Sequence, residues 1–250
     1  MKTNNLILDF SHVYRDENLP EDNKVHWIDC SDIEESDLYC SETAAKEIWS
    51  RIKSYGISGI HFVDSGNYHY MTKIMTDHIK EPFSLILFDH HTDMQKPLIE
   101  NVISCGDWAG AVLKENEYLQ QLVMIGPQEN DIRQIDLPAN RLITFSLEEL
   151  KSGAGKEKLE MMKKTVPLYL SVDKDILDER YSETNWNQGQ MSLSMLEHLL
   201  KEFLNMGKIL GIDICGECQM GIPLPEYLEA EATNARTNEE LFRFLMRNMS

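Results

Sequence analysis

Residues 85–93 read Leu-Ile-Leu-Phe-Asp-His-His-Thr-Asp, a short apolar run followed at once by carboxylates and imidazoles. Four consecutive apolar residues without polar alternation are typical of a strand that is buried on both faces of a sheet. Because side chains alternate along an extended chain, Asp89, His91 and Asp93 leave the strand on the same side. A helix cap accounts for one of these groups but not for three. The stretch therefore predicts a buried strand that ends in a candidate metal site.

A second buried strand, residues 168–173, also ends in grouped carboxylates. Asp173 and Asp175 share one side of the extended chain, whereas Lys174 points the other way. Two neighbouring carboxylates stay ionised together at low energetic cost only when a cation lies between them. Alone, an Asp-x-Asp pair is common in loops. Together with residues 89–93 it strengthens the prediction of a metal site.

Eight short apolar segments recur along the chain, and helical patterns lie between many of them. This alternation predicts an α/β fold, a three-layer αβα sandwich with a mostly parallel sheet of about eight strands. Residues 1–250 contain no repeat and no clear linker, so a single domain is expected, and 151–158 is interpreted as a turn. The predicted strands are 6–10, 25–29, 60–64, 85–89, 122–126, 142–145, 168–173 and 209–214. The predicted helices are 41–55, 106–119, 146–151, 192–205 and 238–248.

The composition limits the classes of partner and compartment. The 250 residues include 24 Lys+Arg and 42 Asp+Glu, a net charge of −18. This charge argues against nucleic acids and anionic membranes as partners, because both require a basic face, and it is compatible with cationic ligands and metal ions. No apolar run approaches a signal-peptide core or a membrane span of roughly 20 residues. Five cysteines, an odd number, favour a reducing cytoplasm over a disulfide framework.

A third strand end, that of residues 60–64, is followed by another imidazole, His69. Parallel sheets bind ligands at the carboxyl ends of their strands, so these groups are expected to lie close together. Two divalent cations would balance the four grouped carboxylates, and oxygen-rich ligands with one imidazole per ion suit Mn²⁺ better than zinc. Two adjacent metal ions turn a bridging water into a hydroxide nucleophile. The carboxylates are Asp89, Asp93, Asp173 and Asp175.

Three motifs resemble those of the ureohydrolase family, the arginases and agmatinases. Residues 89–93 resemble the family's Asp-Ala-His-x-Asp, and residues 171–178 resemble Ser-x-Asp-x-Asp-x-x-Asp-Pro. Residues 66–69, Gly-Asn-Tyr-His, lie where the family has Gly-Gly-Asp-His. The motifs occur in the family order and each follows a strand, and the βα pattern covers essentially the whole chain. The chain is thus identified as a divergent member of this family with an arginase-like fold.

The resemblance implies a binuclear manganese hydrolase of a guanidino or related amidino C–N bond. A metal-bridging hydroxide would attack the planar carbon, and urea or a similar product and an amine would be released. Asp93 would also act catalytically, by relaying a proton to the amine. The implied ligands are His69 and Asp93 for one Mn²⁺, His91 and Asp175 for the other, and Asp89 and Asp173 as bridges.

The departures from the family pattern concern residues around the metal ligands. His90 replaces the family Ala and is expected to face away from the metals into packing. Ala109 replaces the His that shuttles protons in arginases, which argues against efficient hydrolysis of free arginine. Glu129 and Asp131 are candidates for binding a cationic substrate, and Glu217 is assigned both a substrate-binding and a catalytic role although its register differs by one. The expected substrate is a cationic small molecule or a peptidyl guanidino group.

Three further residues near the motifs have structural interpretations. Cys215 and Cys218 form a single Cys-x-x-Cys, which is a weak zinc signal, and we interpret them as reduced thiols near a strand end. Asp178 is interpreted as structural. Because relatives commonly assemble as trimers or hexamers, the resemblance predicts a homo-oligomer, by analogy alone.

Two alternatives stay open. One is a metal-dependent deacetylase of related α/β architecture, which holds a single zinc with an Asp-x-His and another Asp; the additional carboxylates of Asp93 and Asp175 favour two metals instead. The other is a non-catalytic or regulatory metal-binding homologue that has lost the proton shuttle at Ala109. Amide hydrolysis with one zinc per chain would favour the first, and inactivity towards guanidino compounds with both metals bound would favour the second.

Overall fold

The computed structural model of the protein describes residues 4–14, 25–137 and 139–249. Eight strands form one sheet in which all neighbouring strands are parallel, as predicted. These strands are β1 (Asn5–Asp9), β2 (Val25–Asp29), β4 (Ile60–Phe62), β5 (Phe83–Phe88), β7 (Leu119–Gly126), β8 (Leu142–Ser146), β9 (Leu168–Asp173) and β10 (Ile209–Cys215). Two short strands, β3 (Tyr39–Ser41) and β6 (Val102–Ser104), pair antiparallel outside this sheet.

Three of the helices among the described residues begin at a serine cap. The side chains of Ser41, Ser146 and Ser192 each accept a hydrogen bond from a backbone N–H of the helix that follows. None of the helices among the described residues is both long and apolar enough to cross a membrane. The helices are α1 (Glu42–Ile52), α2 (Met71–Thr76), α3 (Trp108–Glu115), α4 (Glu129–Ile132), α5 (Leu147–Ser152), α6 (Lys156–Met161), α7 (Leu193–Leu204) and α8 (Leu224–Asn248).

Side-chain alternation along the strands produces a hydrophobic layer on each face of the sheet. Leu85 and Leu87 belong to the layer that contains the buried residues of α1, α2 and α3. Ile86 and Phe88 belong to the layer that contains those of α5, α7 and α8. Because both faces are covered, the strands are apolar throughout rather than alternating. The predicted three-layer αβα sandwich is confirmed.

Four helices differ from the sequence-based expectation. The short helices α4 and α6 were not predicted, and α6 begins at Lys156, within the segment 151–158 that was interpreted as a turn. The last helix was expected over 238–248, but α8 begins at Leu224. Its first half buries small and polar side chains such as Ala230 and Asn234, so it lacks the apolar periodicity that identifies a helix. The helix α2 was not predicted, because it has six residues and all of them are buried. A segment that is short and buried all round shows no helical stripe.

The strand order brings the ends of four strands together. The spatial order of the strands in the sheet is β2-β1-β4-β10-β9-β5-β7-β8. Along the chain β5 is the next strand of this sheet after β4, but in the sheet β10 and β9 lie between them. Because all strands are parallel, the carboxyl ends of these four lie at one edge. The segments that leave β4, β5 and β9 carry the six predicted metal ligands.

Candidate metal centre

The first subsite is centred on His69, which is 2% exposed. Its Nδ1 lies 3.0 Å from Asp93 Oδ2, 3.3 Å from Asp89 Oδ2 and 3.4 Å from Asp173 Oδ2. Its Nε2 lies 2.9 Å from the hydroxyl oxygen of Ser171, a contact that orients the ring. One imidazole nitrogen and three carboxylate oxygens, contributed by segments that follow three different strands, therefore surround a single position.

The second subsite contains His91, whose side chain is 34% exposed. Its Nδ1 lies 2.7 Å from Asp175 Oδ2 and 3.7 Å from Asp89 Oδ1. Asp89 thus faces both imidazoles, with one oxygen towards each, as a bridging ligand would. Asp173 faces the His69 subsite through Oδ2, while its Oδ1 accepts a hydrogen bond from the backbone N–H of Asp175.

Backbone hydrogen bonds hold the carboxylates of the second subsite in place. The N–H of His91 donates to Asp89 Oδ1 at 2.6 Å, and the N–H of His90 donates to Asp175 Oδ1 at 3.0 Å. These bonds form because the chain turns back as it leaves β5. The two bonds tie the carboxylates of Asp89 and Asp175 to the backbone that follows β5.

Asp93 is fixed by the start of α3. Its backbone has a positive φ of 49°, and its Oδ2 accepts a hydrogen bond from Trp108 Nε1 at 2.6 Å. Its carbonyl accepts hydrogen bonds from the N–H groups of Ala109 and Gly110. Ala109 is fully buried in the hydrophobic layer under α3 and lines neither of the cavities described below. Ala109, which the resemblance matches to the family's shuttle His, is therefore part of the core.

The pKa values reflect four carboxylates in a small volume. Burial raises the pKa of Asp173 and of Asp175, and the carboxylates of Asp175 and Asp89, respectively, raise them further. Burial alone would lower the pKa of His91, but hydrogen bonds to Asp175 and Asp89 raise it to about 11. Cys215 and the carboxylates of Asp89 and Asp93 likewise outweigh burial and raise the pKa of His69. The cluster attracts positive charge, either as protons or as metal ions.

One atom of the cluster indicates a cation. Asp89 Oδ2 is buried, and although His69 Nδ1 lies 3.3 Å away, no group among the described residues makes a well-formed hydrogen bond to it. A buried carboxylate oxygen without such a bond is energetically costly, and a bound cation removes this cost. The groups His69–Asp89–Asp93 and Asp89–His91–Asp175 each bring three potential ligand atoms within 4.8 Å of one another. Oxygen donors with one imidazole per group fit two hard divalent ions.

Two cavities adjoin the cluster. The smaller, of about 50 Å³, is lined by Asp89, Asp93, Asp173 and Asp175 together with Cys105 and Trp186. The larger, of about 540 Å³, is also lined by Asp93 and continues to Asp131 and Asp136. Asp93 and His91 line both cavities, so the larger one leads to the predicted metal ligands.

His90 does not pack away from the site, and this expectation was wrong. It lines the larger cavity beside His91, with 5.1 Å between the ring centroids. Burial and the neighbouring His91 lower its pKa, which favours a neutral imidazole. The extended-chain argument placed His90 opposite Asp89 and His91, but β5 ends at Phe88 and the chain curls after it.

The predicted substrate-binding residues lie in three different environments. Asp131 is in the wall of the larger cavity. Glu129 is exposed in the first turn of α4, where it pairs with Arg133 at 2.6 Å. Glu217 is 1% exposed and accepts hydrogen bonds from Lys174 and Asn238, and it lines neither cavity. The assigned roles of Glu129 and Glu217 stay predictions.

Other residues near the motifs also have defined positions. Asp178 accepts hydrogen bonds from the backbone and the side chain of Arg180, outside the cluster. Cys215 and Cys218 are free, and Cys215 ends β10. The thiol of Cys215 lies 3.2 Å from Asp173 Oδ2, which sequence reasoning missed. The only signal was its position at a strand end, which it shares with the predicted ligands.

Comparisons with known proteins agree with this geometry. The model of the Arginase family matches residues 14–217. A relative from Thermotoga maritima, described as an uncharacterized protein, is 32% identical over 160 residues, which cover 64% of this chain and 58% of that protein. The chain therefore matches less than two thirds of this relative's length.

Two solved structures share the fold. Formimidoylglutamase from Bacillus subtilis has a TM-score of 0.70 at 14% identity, covering 99% of this chain and 87% of that one. Trypanosoma cruzi formiminoglutamase, solved with Mn²⁺, has a TM-score of 0.65 at 14% identity, covering 98% of this chain and 94% of that one. At this identity the likeness concerns the fold.

Proposed function

Because this chain belongs to the arginase family, we propose that it is a manganese-dependent hydrolase of a C–N bond in a guanidino or related amidino substrate. The observation that carries this proposal is the convergence of two histidines and four buried carboxylates in two ligand groups that share Asp89. A cavity of about 540 Å³ that Asp93 and His91 line offers space for a substrate beside these ligands.

In this proposal, His69 and Asp93 would hold one Mn²⁺, His91 and Asp175 would hold the other, and Asp89 and Asp173 would be shared by both. When bound, the two ions activate water and polarise the planar carbon of the substrate. Manganese is supported by the oxygen-rich donor set and by its presence in the T. cruzi structure. A single zinc site of the deacetylase type would leave Asp93 and Asp175 without a role as ligands.

We assign the proton transfer to Asp93. Hydrolysis joins the water oxygen to carbon, breaks the C–N bond and requires a proton on the departing nitrogen. Asp93 lines both cavities, so it faces the metal ligands and the space available to a substrate. Trp108 fixes its Oδ2 by a hydrogen bond. A carboxylate held in this way is suited to carrying the proton without the His that Ala109 replaces.

The larger cavity suits a cationic group. Asp131 and Asp136 line it together with Asp93, and the charge of −18 on the whole chain attracts cations. A guanidinium group is planar and positively charged, so its central carbon can approach the cluster while its nitrogens meet acceptors. We therefore propose a small guanidino compound or a peptidyl arginine as substrate, with Asp131 as a binding residue.

A second candidate is an amidino substrate that carries a carboxylate. Lys114 is exposed in the wall of the same cavity, where it is suited to an anionic substrate end. Lys96 also lines the cavity, but its Nζ lies 3.4 Å from Asp136. Replacing Lys114 with Ala should raise KM for a carboxylated amidine and leave KM for agmatine unchanged. Lys96→Ala, which removes a lysine already paired with Asp136, is the matched control and should leave KM for both compounds unchanged.

We also propose that the protein resides in the cytoplasm. All five cysteines are free, and Cys30, Cys40, Cys215 and Cys218 are buried. Free thiols are typical of reducing compartments.

The experiment that tests the proposed function is a screen of guanidino and amidino compounds with the manganese-loaded protein. Release of urea, ammonia or formamide would be measured beside the Asp173→Asn variant, whose fold is checked by circular dichroism. We expect turnover of at least one compound by the natural chain and none by the variant. Two bound ions without turnover of any compound would favour a regulatory protein, and amide hydrolysis with one zinc per chain would favour a deacetylase.

A further inference from the structure

Cys215 is aligned with a predicted metal ligand by the sheet itself. It is paired with Asp173 in the parallel register of β10 and β9. Side chains of neighbouring residues in a sheet point to the same face, so the thiol is directed to where Asp173 points. Its Sγ lies 3.2 Å from Asp173 Oδ2, and the residue is 1% exposed. Neither the family motifs nor the proposed function assigns a role to this thiol.

The thiol also lies close to the imidazole of the same subsite. The ligand atoms of His69, Asp173 and Cys215 all lie within 4.8 Å of one another, and all three residues are buried. Metal–sulfur and metal–oxygen bonds of about 2.3 and 2.0 Å that meet at roughly 90–110° place sulfur and oxygen about 3.0–3.5 Å apart. The observed separation of 3.2 Å lies within this range. A cation held by His69 and Asp173 is therefore within reach of the sulfur.

A second observation at this subsite indicates a ligand. Asp89 Oδ2, 3.3 Å from His69 Nδ1, is buried and accepts no well-formed hydrogen bond from the described residues. The subsite thus contains a carboxylate oxygen, Asp89 Oδ2, without a well-formed hydrogen bond. The nearby Cys215 thiol contacts Asp173 and not this oxygen. A cation that satisfies this oxygen would lie beside His69, in the subsite that the thiol adjoins.

We propose that the Cys215 thiolate is a ligand of the ion at the His69 subsite. The proposal rests on the metal centre of the proposed function. It implies that the two subsites of this centre differ in their donor atoms. The His69 subsite has a soft sulfur donor, whereas His91, Asp175 and Asp89 offer only nitrogen and oxygen. Thiolate ligands select thiophilic ions such as Zn²⁺ and Co²⁺ over Mn²⁺. The thiol proton is released to solvent when the ion binds, and no electron transfer is involved.

Cobalt substitution tests this proposal without measuring activity. Cobalt bound at any site absorbs in the visible, whereas a cobalt–thiolate bond adds a charge-transfer band in the near ultraviolet. We expect this band in the natural chain and its loss in Cys215→Ser, which keeps the visible absorption. Two thiols serve as controls: Cys105, which lines the small cavity, and Cys218, the other half of the Cys-x-x-Cys. Cys105→Ser and Cys218→Ser should retain the band.

A competition experiment measures the consequence. With Zn²⁺ and Mn²⁺ supplied together, the natural chain should hold zinc at one position, and Cys215→Ser should shift the zinc-to-manganese preference at least about tenfold towards manganese. If Cys215→Ser does not fold, X-ray absorption at the cobalt edge of the natural chain and of Cys105→Ser detects the sulfur ligand directly.

The outcomes separate this proposal from the proposed function. Two bound cobalt ions without a sulfur signal would overturn the ligand role of Cys215 and leave the binuclear hydrolase intact. Persistence of the band in Cys215→Ser would also overturn it. Failure of the folded natural chain to bind cobalt or manganese would overturn both.

Discussion

The Nζ of Lys174 donates a hydrogen bond to Oε1 of Glu217, and neither side chain is more than 1% exposed. Lys174 lies in the sequence between Asp173 and Asp175, so this ion pair involves the segment that carries two of the predicted metal ligands. Asn238 of α8 contacts both members: its Oδ1 accepts from Lys174 and its Nδ2 donates to Glu217. The contact thereby connects the last helix to the loop that carries two of the predicted ligands.

Replacing Glu217 with Gln should destabilise the protein strongly. The change leaves the Lys174 ammonium buried without a counter-ion, and removing one partner of a buried pair costs about 3–5 kcal/mol. The free energy of unfolding from urea titration measures the effect. Glu42→Gln, in the exposed pair with Lys46, is the control and should change little. Unchanged stability with a specific rise in KM would instead support the predicted substrate-binding role of Glu217.

Replacing Trp108 with Phe should weaken metal binding. The change removes the hydrogen bond to Asp93 Oδ2 but retains most of the buried ring. Loss of a group that orients a metal ligand typically reduces metal affinity about 10–100-fold. Manganese titration against a chelator measures the dissociation constant. The control is Trp49→Phe, which changes a ring that stacks on His78 and should leave the dissociation constant unchanged. Equal affinity in both variants would contradict a role of Trp108 in holding Asp93.

Replacing Ala109 with His should not restore an arginase-like shuttle. Ala109 is fully buried on the inner face of α3, so a larger polar side chain overpacks the hydrophobic layer at a cost of about 1–3 kcal/mol. We expect a lower melting temperature and no gain in arginine hydrolysis. A faster reaction with free arginine, measured as urea release, would show that this position can reach the site.

The metal-free protein should lose stability as the pH rises. Burial raises the pKa of Asp173 to about 7 and that of Asp175 to about 6 in the folded state. The stability that their protonated forms contribute is therefore complete below the ordinary Asp pKa of 3.8 and is lost as the pH rises through these raised values. The pKa of His91 is raised to about 11, so its contribution is complete below 6.5 and is lost as the pH passes about 11. Both effects have the same sign.

Melting temperatures of the metal-free and the manganese-loaded protein across this range test the expectation. Bound ions replace the protons, so the loaded protein should lose less stability over the same interval. Asp173→Asn should flatten the metal-free profile at the acidic end. A metal-free protein that gains stability with rising pH would contradict the electrostatic account.

Much of the fold and of the metal cluster was predictable because both depend on local patterns. Continuous apolar runs identified the eight strands, and strand ends placed the carboxylates at one edge. The strict alternation argument held less well, because β5 ends at Phe88 and Asp93 has a positive φ. The ligands still converge because hydrogen bonds such as that from Trp108 direct them.

The remaining features depend on long-range contacts that one sequence does not specify. Glu217 and Lys174 are 43 positions apart, and only the adjacency of β10 and β9 brings them together. The same adjacency aligns Cys215 with Asp173. The strand order, rather than any motif, decides which strand-end residues share the site.

The most direct test of the central claim is the manganese stoichiometry of the folded chain, measured by elemental analysis together with electron paramagnetic resonance. Two ligand groups that share Asp89 predict two Mn²⁺ per chain with a spin-coupled spectrum, and loss of the coupling in Asp173→Asn. A well-folded protein that binds no more than one ion at saturating manganese would contradict the binuclear centre and the hydrolytic mechanism that depends on it.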